Sequence, residues 1–284
     1  MTCDSTSERL RCLSEKLAEQ LIRHVVPIFR DDGVGKQESC GTGFLVSNAA
    51  SSFLISAAHV FDPLKSGSKL FFYVGHKRVH NLQGSVLLTV PPVGETRRAD
   101  RLDIAVLLLA EEASPPYPEV NKQAIPINAL IASALPRERK NYLVTGFPAS
   151  KTQLHPVRRQ VESAPYGNWS ACASKAGYGR VGCSDQTHIV MPFNRKKVVG
   201  QHLATRTFPN PAGMSGSPVW LLYDEVETND PTQTPVVGVF IEYHSSHHLL
   251  VATDINVALD MINRGHQKCA QLASGLIEPL ASER

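Results

Sequence analysis

The sequence lacks any run of the roughly 18 apolar residues that a membrane-crossing helix needs, and no membrane span is expected. The opening stretch MTCDSTSERLRCLSEK carries no apolar core of the secretory kind, so no export signal is expected either. Charge of one sign is also scarce. Lys and Arg number 29 against 26 Asp and Glu, and the resulting +3 is too small to argue for nucleic acid. The basic clusters Arg97-Arg98, Arg158-Arg159 and Arg195-Lys196-Lys197 are short and scattered, and they read as solvated surface. Cysteines at 3, 12, 40, 172, 183 and 269 form no CxxC pair, which argues against a disulfide scaffold and for reduced thiols in a cytoplasmic protein. The GVGK at 33–36 lacks the spacing of a phosphate-binding loop, and a nucleotide reading falls with it. No internal repeat is present.

What the chain does have is an ordinary globular composition, 42% hydrophobic and 19% charged, with length for one large or two small domains. Residues 6–24 read as an amphipathic helix, because Leu10, Leu13, Leu17 and Leu21 recur at three or four residues. From Val25 the period changes. VVPIF, GTGFLVS, SSFLISAAHVF, KLFFYVG, VLLTV and RLDIAVLLL are short β-rich runs punctuated by Gly, Ser, Asn and Pro. Residues 112–141 are proline-rich and form a connection between halves. Strand-like runs then resume with NYLVTGFP, THIVMPF, HLATRTF, SPVWLLY, PVVGVFIEY and LLVATDI. The polar, glycine-rich stretch 150–187 reads as a long loop or insertion. Residues 253–276 read as a closing helix, capped by Asp254, with Ile255, Ala258, Leu259 and Ile262 on its apolar face. The expected fold class is all-β with terminal helices, built as two β-barrels. Its units are an N-terminal helix over 1–24, a first barrel over 25–125, and a second barrel over 126–284 with the C-terminal helix.

Three residues carry potential chemistry. SAAHVF puts His59 directly after a β-rich run, and LDIAVL makes Asp103 the one charge in an apolar stretch. A carboxylate in such a run needs a partner, because burying an unpaired charge is costly. An imidazole N–H can be that partner and gains a fixed tautomer in return. Ser215, in NPAGMSGSPVW, supplies a hydroxyl. Acyl transfer needs these parts: a nucleophile, a base to take its proton and an acid to orient the base. Gly213 and Gly216 bracket Met214-Ser215, and a loop that turns the Gly213 and Ser215 N–H groups inward can hold an oxyanion.

In order and approximate spacing, GTGFLVS, ISAAHVF, LDIAVLLL, VTGFP, NPAGMSGSPVW and VVGVFIEY resemble a trypsin-like serine peptidase of the chymotrypsin fold. The resemblance runs from about Val25 to Ile262 and is closer to the bacterial and intracellular branches, including the Deg/HtrA and glutamyl endopeptidase groups, without a PDZ domain. It implies two antiparallel six-stranded barrels with the triad His59, Asp103 and Ser215 in the cleft between them. It also implies an oxyanion hole from Gly213 and Ser215. A protein or peptide substrate would lie as an extended strand beside Ile241, Glu242 and Tyr243, with Pro209 at the base of the primary pocket. The chemistry requires no cofactor and no metal.

The sequence departs from zymogen-activated members of that family. Met214 precedes the nucleophile where an aspartate would pair with a newly cut N-terminus, so activation by that route is not expected. A narrow processing protease, switched on by an activating protein partner and acting in bacterial defence, is the expectation by resemblance. HSSHH, with His244, His247 and His248, either lines the pocket and favours an acidic or polar residue or forms a surface hairpin. Cys172, Cys183 and His188 make a weak metal candidate. Two rivals stand. An α/β-hydrolase would use Ser215, Asp254 and His266, but its elbow needs glycine where Ser217 stands. A catalytically silent barrel would be a protein-binding module.

Overall fold

The computed structural model describes residues 17–34, 36–74, 78–110, 117, 121–133, 136–137, 140–155, 160–199, 205–223 and 234–273. The first sixteen residues of the expected N-terminal helix, Cys3 and Cys12 among them, lie outside this set, as does much of the 112–141 connection. Residues 17–21 are helical as expected. Leu17 and Leu21 are buried in the core, and Ala18 sits against Gly167, so this end of the helix covers the second sheet.

The first sheet orders its strands β5-β4-β1-β2-β3-β7-β6, all antiparallel. They are β1 (Val25–Asp31), β2 (Gln37–Ser47), β3 (Ser52–Ala57), β4 (Lys69–Val74), β5 (Arg78–Asn81), β6 (Gly84–Leu88) and β7 (Ile104–Leu109). A two-residue β8 (Ile125–Pro126) adds parallel to β2. The chain steps from edge strand β5 straight to edge strand β6 through Leu82 and Gln83. Leu82 N–H donates to Leu70 O at 2.8 Å and Ala110 N–H to Gln83 O at 3.0 Å. The two edges are thereby brought side by side and the sheet curls.

The second half begins with β9 (Asn141–Gly146), followed by the ribbon of β10 (Thr152–His155) and β11 (Gln160–Ser163). Then come β12 (Tyr166–Ala171), the short helix α1 (Lys175–Val181), β13 (His188–Pro192) and the ribbon of β14 (Val198–Val199) and β15 (Thr205–Arg206). β16 (Pro218–Leu222), β17 (Val236–His244), β18 (Leu249–Asp254) and the helix α2 (Ile255–Ala273) complete it. Its sheet runs β12-β9-β16-β17-β18-β13, and the end strands meet. Ala173 N–H donates to Val190 O at 2.7 Å and Ser170 Oγ to Pro192 O at 2.8 Å. Two curled antiparallel sheets with few helices are the double β-barrel that the sequence suggests, with the expected six strands in the second sheet but eight, the two-residue β8 included, in the first.

Side-chain alternation explains why β17 and β18 are apolar almost throughout. Val237, Phe240, Leu250 and Ala252 fill the second barrel, while Val236, Val239, Ile241, Leu249 and Val251 face the core shared with the first sheet and the helices. A strand buried on both faces loses the polar half of its period. The stretch 150–187 is a correction. It is not a plain loop, because it contains β12, paired along its length with β9, and α1. β12 (YGNWSA) is half-exposed, and its two large aromatic side chains, Tyr166 and Trp169, lie three residues apart, so a period of two does not show. Asp254 caps α2 as expected, its Oδ1 accepting Asn256 N–H at 3.0 Å.

Candidate active site

His59 stands in the first turn of a 3₁₀ segment, Ala58–Ser66, that leaves the end of β3. Asp103 directly precedes β7, which pairs with β3, and Ala58 N–H donates to Asp103 O at 2.9 Å. Adjacent strand ends thus deliver two side chains that are distant in sequence. His59 Nδ1 donates to Asp103 Oδ2 at 2.5 Å, and the His59 backbone N–H donates to Asp103 Oδ1 at 2.9 Å. Both carboxylate oxygens are used, and Asp103 is buried. With Nδ1 carrying the proton, Nε2 is left as the basic nitrogen. Burial alone would pull the His59 pKa down. The hydrogen bond and charge of Asp103, with Asp62 adding to them, outweigh it and raise the value above that of a free imidazole.

Asp103 has φ +48°, uncommon for a residue with a side chain. Asp100 holds it there: Oδ1 accepts the N–H groups of Leu102 at 3.2 Å and of Asp103 at 3.1 Å. The other oxygen of Asp100 takes Arg97 Nη1 at 2.7 Å and Thr89 Oγ1 at 2.6 Å. Arg97 reaches on to Asp62, in the segment that carries His59, at 3.2 Å. The sequence suggests a solvated cluster for Arg97; the structure shows otherwise. Its guanidinium is largely buried and ties the two loops together. The sequence signal is indirect: Asp62 and Asp103 each adjoin an apolar run, while Asp100 lies among arginines.

Ser215 lies in the loop entering β16. Gly216 is required there twice over, since φ is +93° and an added Cβ would lie 2.0 Å from Thr42 O and 2.2 Å from Ser56 Oγ. Thr42, in β2, binds the loop across the barrel interface. Its N–H donates to Ser215 O at 2.9 Å and its Oγ1 to Gly213 O at 2.8 Å. Two further carbonyls are engaged on the protein side. Ala212 O accepts Ala149 N–H at 2.8 Å, and Met214 O accepts Ser217 N–H at 2.9 Å and Ser217 Oγ at 2.6 Å. In a trans peptide the N–H points opposite to its carbonyl. The N–H groups of Gly213 and Ser215 are therefore turned away from those partners, and neither has an acceptor among the described residues. The Ser215 hydroxyl donates to Ile241 O at 3.2 Å rather than to His59.

His59, Asp103 and Ser215 line one cavity of about 620 Å³ between the sheets. Ile241, Glu242 and Tyr243 line it from β17. Its floor residues from the Ser215 loop are Asn210, Pro211 and Ala212, while Pro209 is buried beside them and is not part of the lining. His244 reaches the cavity and pairs with Glu242 at 3.0 Å. His247 and His248 occupy the exposed turn between β17 and β18. Met214 is buried in the second barrel among Phe240, Val219 and Leu250. Cys40, Cys172 and Cys183 are thiols that form no disulfide. Among the described residues no three His, Cys, Asp or Glu side chains group to hold a metal, the Cys172, Cys183 and His188 candidate included. Asp254, the acid of the hydrolase reading, pairs with the buried guanidinium of Arg137 and lies outside the cavity lining.

No family model matches the chain, and no curated protein matches it in sequence. Among solved structures, the chain is similar to neuropsin, a serine protease expressed in the limbic system of mouse brain. The TM-score is 0.56 at 11% identity, over 86% of this chain and 94% of that one. The fold is therefore that of the chymotrypsin-like double barrel. No helix among the described residues is long and apolar enough to cross a membrane.

Proposed function

We propose that the chain is a serine endopeptidase that cleaves protein substrates through His59, Asp103 and Ser215. The carrying observation is the conjunction of the short Asp103–His59 hydrogen bond with a Ser215 hydroxyl on the same cavity, beside two N–H groups, of Gly213 and Ser215, that have no acceptor among the described residues. On substrate binding, Ser215 Oγ turns from Ile241 O to His59 Nε2. His59 takes its proton as Oγ attacks the scissile carbonyl. Asp103 steadies the imidazolium, and the Gly213 and Ser215 N–H groups take the oxyanion. His59 then protonates the leaving amine, and water releases the acyl group by the same route. An extended substrate pairs with the edge of β17 at Ile241, Glu242 and Tyr243. The finer reading rests on the family resemblance alone: a narrow-specificity regulatory or processing enzyme of the Deg/HtrA and glutamyl endopeptidase type, under an activating partner and serving bacterial defence. The three thiols that form no disulfide suit a reducing compartment such as the cytoplasm.

One observation favours a second reading, a silent binding module: Ser215 Oγ is engaged by Ile241 O and not by His59. A fluorophosphonate probe separates the two. Covalent labelling of the wild type that disappears in Ser215→Ala supports the peptidase; a wild type as inert as that variant supports the module.

A further inference from the structure

The cavity has one wall from β17 and one from the loop Arg97–Asp103 of the first sheet. Its carboxylates are spoken for: Asp103 by His59, Asp100 by Arg97, and Glu242 by His244. Two guanidinium groups on the loop are not. Arg98 and Arg101 both line the cavity, both are exposed, and neither has a carboxylate within ion-pair distance among the described residues. The backbone that carries them is fixed to the second sheet. Arg101 O accepts His188 Nε2 at 2.9 Å, and Leu102 O accepts Thr253 Oγ1 at 2.6 Å. On the other side, Arg97 is anchored to Asp62 and Asp100. Exposed arginines on a loop whose backbone is anchored offer forked donors, the geometry that takes a carboxylate in two parallel hydrogen bonds.

We infer that this wall is a subsite for an acidic side chain, Asp or Glu, of the substrate, held by Arg98 and Arg101. The inference rests on the peptidase reading for its substrate class and deepens it. An extended chain paired with β17 passes between that strand and the loop, so one side chain faces the arginines while its backbone uses Ile241 and Tyr243. Glu242, the only carboxylate of the opposite wall, is turned to His244 and does not occupy the subsite. Desolvation within the cleft strengthens a charge-assisted pair and disfavours an isosteric amide.

The test is a positional-scanning set of extended peptides in which Asp, Glu, Asn, Gln and Lys replace one another. Cleavage by the wild type and binding to Ser215→Ala by fluorescence anisotropy are measured in parallel. The expected result is a preference of about 10-fold or more for Asp or Glu over Asn or Gln at one fixed position, in both readouts. The paired change Arg98→Ala with Arg101→Ala abolishes it, mainly through KM, and Arg98→Glu with Arg101→Glu turns it toward Lys. The fluorophosphonate reports in each variant whether Ser215 remains accessible. Absence of any acidic preference, or one that survives both paired changes, overturns the inference. A wild type that neither cleaves nor labels, yet binds acidic peptides through these arginines, overturns the peptidase reading and supports the subsite.

Discussion

Asp103 shows how much a single residue can be asked to do. It accepts two hydrogen bonds from His59 while its own backbone is held in the left-handed region by Asp100. The consequence for pH follows from the raised His59 pKa. The His59–Asp103 ion pair adds stability that is fully present below the unfolded imidazole pKa and is lost as pH rises through the raised folded value. The proposed mechanism needs the neutral base, so kcat/KM is expected to rise with pH through that same value, above about 6.5. Asp103→Asn removes the cause. Its kcat falls by about 10⁴-fold, the loss usual for such triads, and the acid limb of any residual activity moves to lower pH. A pH–rate profile in which the limb stays put refutes this. Gly216→Ala meets Thr42 O and a positive φ together. It destabilises the fold by about 2–5 kcal/mol, read as a lower denaturation midpoint.

At the scale of elements, the loop before β7 is the positioning device. Arg97 and Asp100 join it to the His59 segment, to β7 through Thr89, and to Asp103 itself. Asp100→Ala leaves the Leu102 and Asp103 N–H groups without their acceptor and leaves Arg97 held only by Asp62 and Thr89 O. The carboxylate of Asp103 then loses its aim, and kcat falls by about 10–100-fold with KM little changed. Asp100→Asn keeps the oxygen that binds those N–H groups and recovers most of the loss. Equal losses in the two variants would mean that the Asp100 charge paired with Arg97, and not the loop geometry, is what matters. The loop entering β16 is built on the same plan: carbonyls are tied inward by Thr42, Ala149 and Ser217, which leaves N–H groups outward.

The whole molecule is held at the seam between its barrels. His24, next to β1, is buried there against the Trp220 ring of β16, and Trp220 Nε1 donates to Thr145 Oγ1 at 2.9 Å. His24 Nδ1 donates to Gln123 O at 2.9 Å, and its Nε2 accepts from Arg23. Burial lowers its pKa to about 4. The unfolded chain therefore binds a proton that the folded one refuses. The stability tied to neutral His24 is complete above about 6.5 and falls away as pH drops through about 4, by about 3 kcal/mol in all. Denaturant midpoints at pH 7 and pH 4.5 measure it. The pH slope is shallower in His24→Gln, and an unaltered slope would assign the acid sensitivity elsewhere.

Much of this protein was legible in one dimension. Short β-rich runs punctuated by Gly, Ser, Asn and Pro pointed to two β-rich halves. The order of His59, Asp103 and Ser215 among glycines pointed to one chemistry, because period and residue type are local properties. The tertiary structure decided the rest. β12 was hidden because its pairing with β9 supplies hydrogen bonds that its polar side chains do not announce. Arg97 looked solvated until Asp62 and Asp100, from separate loops, closed around it. Which cations stay free to meet a substrate, and which N–H groups face outward, depends on partners far along the chain; His59 and Asp103 alone are 44 residues apart. Sequence sets what each segment can form, while burial and pairing between distant segments decide which charges are neutralised and which remain available.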